Sequence, residues 1–270
     1  MKSLSVKNLS LIKSKIILKD ISFSLNTGDI LAIIGPNGAG KSSLLNQIAN
    51  FRYENNPAIS LFEKPTNAWH SRLLAQRFSY LEQSIDLSFN LTVREVISMG
   101  RVPHDTGLKL DNDIINQAIK VFDIRNLSDR FYTYLSGGEK QRVQLARSFV
   151  QTWSSDIKDG NNKDLNNNEM TNQCVQLLDE PTSALDIEHK HALMEHIVDT
   201  SKHGKTFVIV LHDLSFAARY ANKILVLKNG RQEAFGDATS VLNEPLLEKV
   251  FNRKMYIFKN PHSNQLLISS

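Results

Sequence analysis

The sequence predicts an α/β fold built on a parallel sheet, with an antiparallel β edge and a block of helices inserted into it. The first observation is Ile30 to Asn50, ILAIIGPNGAGKSSLLNQIAN, which reads as a buried strand, a glycine-rich turn and a helix beginning at Lys41. The second is a pair of further strand-length apolar runs, Cys174 to Leu178 and Thr206 to Leu211, each ending in polar groups, Asp179-Glu180 and His212-Asp213. Ligands of open α/β sheets sit outside the carboxyl ends of the strands, so these ends are where a site is expected. The third is the change to helical spacing from Asn90 to Tyr134.

The chain has 270 residues, 41% of them hydrophobic, enough for a substantial core. Its longest apolar runs, such as Ile30 to Ile34 and Phe207 to Leu211, fall far short of the ~18 residues a membrane span needs. No charged start with an apolar h-region and cleavage site appears, and the single cysteine, Cys174, cannot form an internal disulfide, which fits a reducing cytosol. The net charge of +4 comes from 32 basic and 28 acidic residues, largely interspersed, so no nucleic-acid partner is expected.

Taken in order, Ser3 to Leu9 and Ile16 to Leu25 alternate apolar and polar residues and predict antiparallel strands, with a turn at Asn26 to Asp29. Ile59 to Phe62 and Phe78 to Leu81 are short strands, the second leading to Gln83 at the start of a loop. Thr92 caps a helix over Val93 to Met99, Asp111 to Phe122 forms another, and Leu135 to Glu139 precedes a helix over Lys140 to Gln151. The stretch 154–173 carries six asparagines and three clearly apolar residues, and is expected to be an exposed loop. A helix over Ile187 to Thr200 carries His189, His191 and His196, which lack the spacing of a metal pair and read as surface residues. Ile224 to Leu227, the Asn229-Gly230 turn and Gln232 to Phe235 form a hairpin. A helix over Leu246 to Phe251 and short strands near Met255 to Phe258 and Gln265 to Ile268 finish the chain.

The chemistry concentrates in a few places. In G-x-x-x-x-G-K-S, Gly35, Gly38 and Gly40 allow successive N–H groups to turn toward phosphate oxygens, Lys41 reaches the terminal phosphates, and the Ser42 hydroxyl can ligate Mg²⁺. Ser136, Gly137 and Gly138 at a helix start form a second anion cradle. Asp179 and Glu180 can divide two tasks, one orienting the metal's water shell and one facing a water that attacks a γ-phosphate. Gln83, alone a surface glutamine, can bind a metal or its water.

In this order, GPNGAGKSS, Gln83, LSGGE, VQLLDE, SALD and His212 resemble the ATP-binding cassette of ABC transporters over nearly the whole chain. The resemblance implies a P-loop NTPase fold of the ABC nucleotide-binding type, with an antiparallel β edge subdomain and an inserted helical subdomain. It places the ATPase domain at 1–236, the helical subdomain at about 89–136, the exposed loop at about 154–173, and a C-terminal helix with short strands, 237–270, on the same domain. It implies ATP and Mg²⁺ as cofactors, and a homodimer facing head to tail with two ATP molecules between the subunits. Each ATP is then held by Gly35, Pro36, Asn37, Gly38, Ala39, Gly40, Lys41, Ser42 and Ser43 of one subunit and by Ser136, Gly137, Gly138 and Glu139 of the other. By position, Ser42 and Gln83 ligate Mg²⁺ with Asp179 behind it through water. Glu180 is the general base, His212 the γ-phosphate switch and Asp186 a link across the dimer. Two departures stand out: no aromatic residue in Leu11 to Ile17 offers a ring for adenine, and 154–173 lengthens the span from signature to acidic strand.

The finer motifs, MGRVPH at Met99 to His104, VQLARSFVQTW, LLDEPTSALDIEHKHAL and LHDLSFAARYANKILVLKNG, resemble bacterial iron-chelate and cobalamin importers, and within them the haem-importing ATPases. That resemblance implies two integral-membrane permease subunits touched by the helical lobe and the Gln83 loop. It also implies a periplasmic haem-binding protein and a peripheral place on the cytoplasmic face of the bacterial inner membrane. The alternatives are a ferric-siderophore or cobalamin importer ATPase and, of another class, a soluble cassette ATPase acting on nucleic acid or ribosomes. The last more often carries two cassettes or long coiled-coil insertions, neither of which is present. An inactive binding module is opposed by the intact set Lys41, Ser42, Asp179, Glu180 and His212.

Overall fold

The computed structural model describes residues 1–50, 57–65, 68–83, 89–153, 173–259 and 266–269. In chain order the elements are β1 (Lys2–Ile12), β2 (Ile16–Asn26), β3 (Ile30–Ile34), α1 (Lys41–Ala49), β4 (Ile59–Leu61), β5 (Lys64–Pro65), α2 (Ser71–Arg77), β6 (Phe78–Leu81), α3 (Val93–Ser98) and α4 (Leu108–Val121). There follow α5 (Gly137–Thr152), β7 (Cys174–Asp179), α6 (Ile187–Ser201), β8 (Lys205–Val210), α7 (Leu214–Tyr220), β9 (Lys223–Lys228), β10 (Arg231–Asp237), α8 (Ala238–Val241), α9 (Glu244–Phe251), β11 (Tyr256–Lys259) and β12 (Leu266–Ser269).

One ten-stranded sheet runs β5-β4-β1-β2-β10-β9-β3-β8-β7-β6. Neighbours from β9 through β3, β8 and β7 to β6 are parallel, whereas β10 with β9 and the β2-β1-β4-β5 edge are antiparallel. The parallel strands are apolar along their length because both faces are covered. Ile30, Ala32, Ile34 and Ile209 face a core shared with α4, α5 and α6, while Leu31, Ile33, Val208 and Val210 face a second core under α1, β1 and β2. Phe23 is buried in that second core against Phe235, as its place in an alternating strand predicts.

Helices start where side chains cap them. Thr92 with Glu95, and Ser136 with Glu139, form reciprocal capping boxes in which each hydroxyl accepts from a backbone N–H and each carboxylate returns to the cap. α5 therefore starts at Gly137 rather than Lys140, and the signature glycines lie inside its first turn. α4 starts at Leu108 rather than Asp111, behind Gly107, whose φ of 83° is positive. Arg101, in the MGRVPH stretch, is buried and donates to Val150 O and Trp153 O, fastening the C-terminal end of α5 to the helical lobe.

The expectation that His189, His191 and His196 are surface residues is corrected. His196 packs among the rings of Phe122, Phe149 and Trp153, with centroids 5.4–6.0 Å away. Burial lowers its pKa to about 4, with the Lys205 charge adding to the effect. His191 lies 2.6 Å from the Tyr220 hydroxyl, and His189 sits between α5 and the start of α6. The Asn-rich stretch expected to be an exposed loop lies outside the described residues, apart from Gln173. β11 and β12 form a separate antiparallel pair, whose Ile257, Leu266 and Ile268 pack on the first core.

Candidate active site at the carboxyl ends of the parallel strands

Register brings the predicted polar strand ends to one edge. Ile33 pairs with Val210 across β3 and β8, Asp179 with Val210 across β7 and β8, and Leu81 with Leu178 across β6 and β7. The residues that follow these pairs are Gly35, His212, Glu180 and Gln83, so the groups collect outside the sheet.

The loop between β3 and α1 has a shape that side chains would prevent. Gly35, Gly38 and Gly40 all have positive φ, at 150°, 76° and 100°. At Gly35 an added Cβ would lie 2.1 Å from Leu227 O, so the hairpin strand β9 closes over the loop and admits only glycine. Lys41 is 6% exposed and its ammonium donates to Gly35 O at 2.9 Å and Pro36 O at 3.1 Å. Burial lowers its pKa, against the pull of the Glu180 and Asp179 charges.

Asp179 ends β7 beneath the same loop and is 2% exposed. Burial raises its pKa; a hydrogen bond from the Ser42 hydroxyl opposes the rise and the Glu180 charge adds to it. Its Oδ1 has no hydrogen-bond partner among the described residues. A buried carboxylate oxygen left open beside a serine hydroxyl is hard-oxygen chemistry of the kind that suits Mg²⁺ or its water shell, so the donors present fit that ion.

Glu180 has φ +49°, a left-handed conformation uncommon for a residue with a side chain. Its two oxygens are divided between neighbours: Gln83 Nε2 donates to Oε2 at 2.9 Å, and His212 Nε2 lies 2.5 Å from Oε1. Lys41, Ser42, Gln83, Asp179, Glu180 and His212 thus form one connected group.

Ser136–Glu139 stands apart from it. The Ser136 hydroxyl accepts from Glu139 N, and the Glu139 carboxylate accepts from Ser136 N at 2.8 Å and Ser136 Oγ at 2.7 Å. That carboxylate is held well below its usual range by these bonds. Gly138 abuts the loop after Glu180, where a Cβ would lie 2.8 Å from Ala184 O, while the Cβ position of Gly137 is open. Asp186 caps α6 by accepting from His189 N. Sequence reading missed Gln141 and Arg142, which follow the signature and reach Pro181 and His189; their place one helical turn beyond Gly138 was the available signal.

This fold, with a phosphate loop, an acidic strand end and a glycine-rich helix start in this arrangement, defines an ATP-binding cassette. The ABC transporter family matches residues 18–155, and the chain belongs to that family as an ATP-binding subunit that hydrolyses ATP. It is 37% identical to the hemin import ATP-binding protein HmuV of Pseudomonas fluorescens, over 98% of each chain. It is 36% identical to the protein of that name from Plesiomonas shigelloides, over 98% of this chain and 100% of the other. Among solved structures, an inward-facing metal-chelate type ABC transporter matches with a TM-score of 0.76 and 26% identity, over 99% of this chain and 96% of that one. Among the described residues no helix is long and apolar enough to cross a membrane.

Proposed function

We propose that this chain is the ATPase of a haem importer, working as a head-to-tail homodimer on two permease subunits at the cytoplasmic face of the inner membrane and fed by a periplasmic haem-binding protein. The near full-length similarity to hemin import ATP-binding proteins carries the substrate reading. The connected group at the strand ends supports the chemistry.

In this reading the loop Gly35–Ser43 wraps the phosphates, and Lys41 exchanges its two carbonyl partners for β- and γ-phosphate oxygens. Ser42, Gln83 and Asp179 would hold Mg²⁺, in part through water, where it supplies charge neutralisation for the phosphates. Glu180 is the general base, and in the structure both of its oxygens are engaged. When His212 turns to the γ-phosphate, Oε1 is released to take the proton of the attacking water. Ser136, Gly137, Gly138 and Glu139 serve the ATP bound to the other subunit, and Asp186 reaches across the dimer.

The test is reconstitution with the permease in proteoliposomes. Haem-loaded binding protein should raise ATP turnover above the basal rate and drive transport. Stimulation by cobalamin or a ferric siderophore with its own binding protein, and none by haem, would overturn the haem reading.

A further inference from the structure

The loop that follows Glu180 is tied to α5 at three points, and one of them runs through an imidazole. His189 Nδ1 lies 2.7 Å from Asp186 Oδ1, and His189 Nε2 lies 2.8 Å from Arg142 Nη1. A guanidinium only donates, so Nε2 must accept and the ring's one proton sits on Nδ1, donated to Asp186. The two hydrogen bonds therefore select the Nδ1–H tautomer, with Asp123 Oδ2 also 3.5 Å from Nε2. Asp186 Oδ1 accepts from His189 N as well, at 2.9 Å. On its other side Arg142 Nη1 donates to Asp123 O at 2.6 Å and Asp123 Oδ2 at 3.2 Å, at the end of the helical lobe. Two more contacts hold the same loop: Gln141 Nε2 donates to Pro181 O at 3.2 Å, and Gly138 meets Ala184 O too closely for any side chain. Residues 181–186 are thus gripped along their length by the helix that begins at the Ser136 cradle.

We propose that Arg142 and His189 are positioning residues for ATP hydrolysis, holding Asp186 and residues 181–186 against α5 so that Glu180 and the Ser136–Glu139 cradle keep a fixed relation. The proposal rests on the reading of Glu180 as base. Among the described residues the bonds of both side chains run to Asp123, Asp186 and each other, and none reaches Gly35–Ser43. Loss of either should therefore act on turnover and leave nucleotide affinity nearly unchanged.

The test measures ATP turnover of the full chain with its permease for wild type, His189→Ala, Arg142→Met and His189→Gln. In the first two variants kcat should fall about tenfold with KM for ATP within about twofold, because misplacement of a working group costs rate rather than ground-state binding. His189→Gln keeps one donor and one acceptor on its amide and should recover to within about threefold of wild type. In ¹⁵N NMR of the wild-type chain His189 should carry its proton on Nδ1. Wild-type kcat in His189→Ala, failure of His189→Gln to recover, or a proton on Nε2 each overturns the proposal. If His189→Ala does not fold, the tautomer and the glutamine variant still decide. Near-normal turnover in Glu180→Gln would remove the base reading alone, and the His189→Ala defect would stand without it.

Discussion

The two glycine-rich cradles of this chain are built on opposite plans. Gly35–Ser43 is irregular: three glycines at positive φ, a strand from the distant hairpin closing over it, a buried lysine inside it and carboxylates beneath it. Ser136–Glu139 is regular: its glycines lie in the first turn of an ordinary helix, capped by side chains three residues apart. The first needs the whole sheet to hold its shape and arrives with its charges. The second is local structure, its one carboxylate is already committed to the cap, and the groups that do chemistry lie elsewhere. Two unlike halves in one chain, one that carries the reacting groups and one that closes over a neighbour's phosphates, are what the proposed head-to-tail pair would require of each member.

The harshest challenge to this contrast is Ser136→Arg, which puts bulk and charge into the half-site. It should abolish hydrolysis at the ATP whose Lys41 comes from the other subunit. Mixing it with Lys41→Ala subunits should give dimers with one intact composite site and one doubly damaged site, and ATP-induced dimerisation unaffected by either change would count against the pairing. Next, Glu180→Gln should lower ATP turnover by about 10²- to 10⁴-fold with ATP binding retained, as loss of a positioned base does; steady-state hydrolysis and nucleotide binding measured side by side check it.

The glycines themselves give a smaller and sharper comparison. Gly35→Ala should lose about 3 kcal/mol from backbone strain and overlap with Leu227 O, roughly 6–12 °C in melting temperature. Gly137→Ala, with open space at its Cβ, should stay within about 0.5 kcal/mol of wild type. Equal losses in a thermal melt would erase the distinction between the two cradles. The smallest effect concerns how the helical side is attached. The His196 ring has its pKa lowered to about 4, from an ordinary value of 6.5 that applies when unfolded. Between these values the unfolded state binds more protons, so stability is present above pH 6.5 and drains away as pH falls toward 4. The loss should be about 2 kcal/mol between pH 7 and pH 4.5, and His196→Phe should flatten that difference in melts at the two values.

The strand ends were legible because burial on both faces leaves uninterrupted apolar runs, and the polar residue that breaks each run marks the edge of the sheet. The Thr92 cap was legible because a threonine directly precedes an apolar-periodic run; the returning carboxylates Glu95 and Glu139 were not read although they lie three residues on, and with Glu139 unread the start of α5 fell three residues late. α2 and α7 were not foreseen: each has seven residues, and α2 buries Leu74 alone, too few turns for a period to emerge. The His196 environment was illegible because Phe122, Phe149 and Trp153 come from other segments, and spacing along α6 carries no information about them. Leu227 O above Gly35, and Arg142 against His189, depend likewise on how distant elements lie side by side. The motif carries the residue types; packing supplies their partners.

Adjacent strands of a sheet lie ~4.8 Å apart, and β3, β8, β7 and β6 are consecutive neighbours. Gly35, His212, Glu180 and Gln83 therefore hang from a ruler whose divisions are set by backbone hydrogen bonds. A one-residue insertion within β7 would slide its end by ~3.3 Å and turn every later side chain to the opposite face, taking Asp179 away from Ser42. Length can drift in the connections between these strands, but inside them the count of residues is itself part of the site.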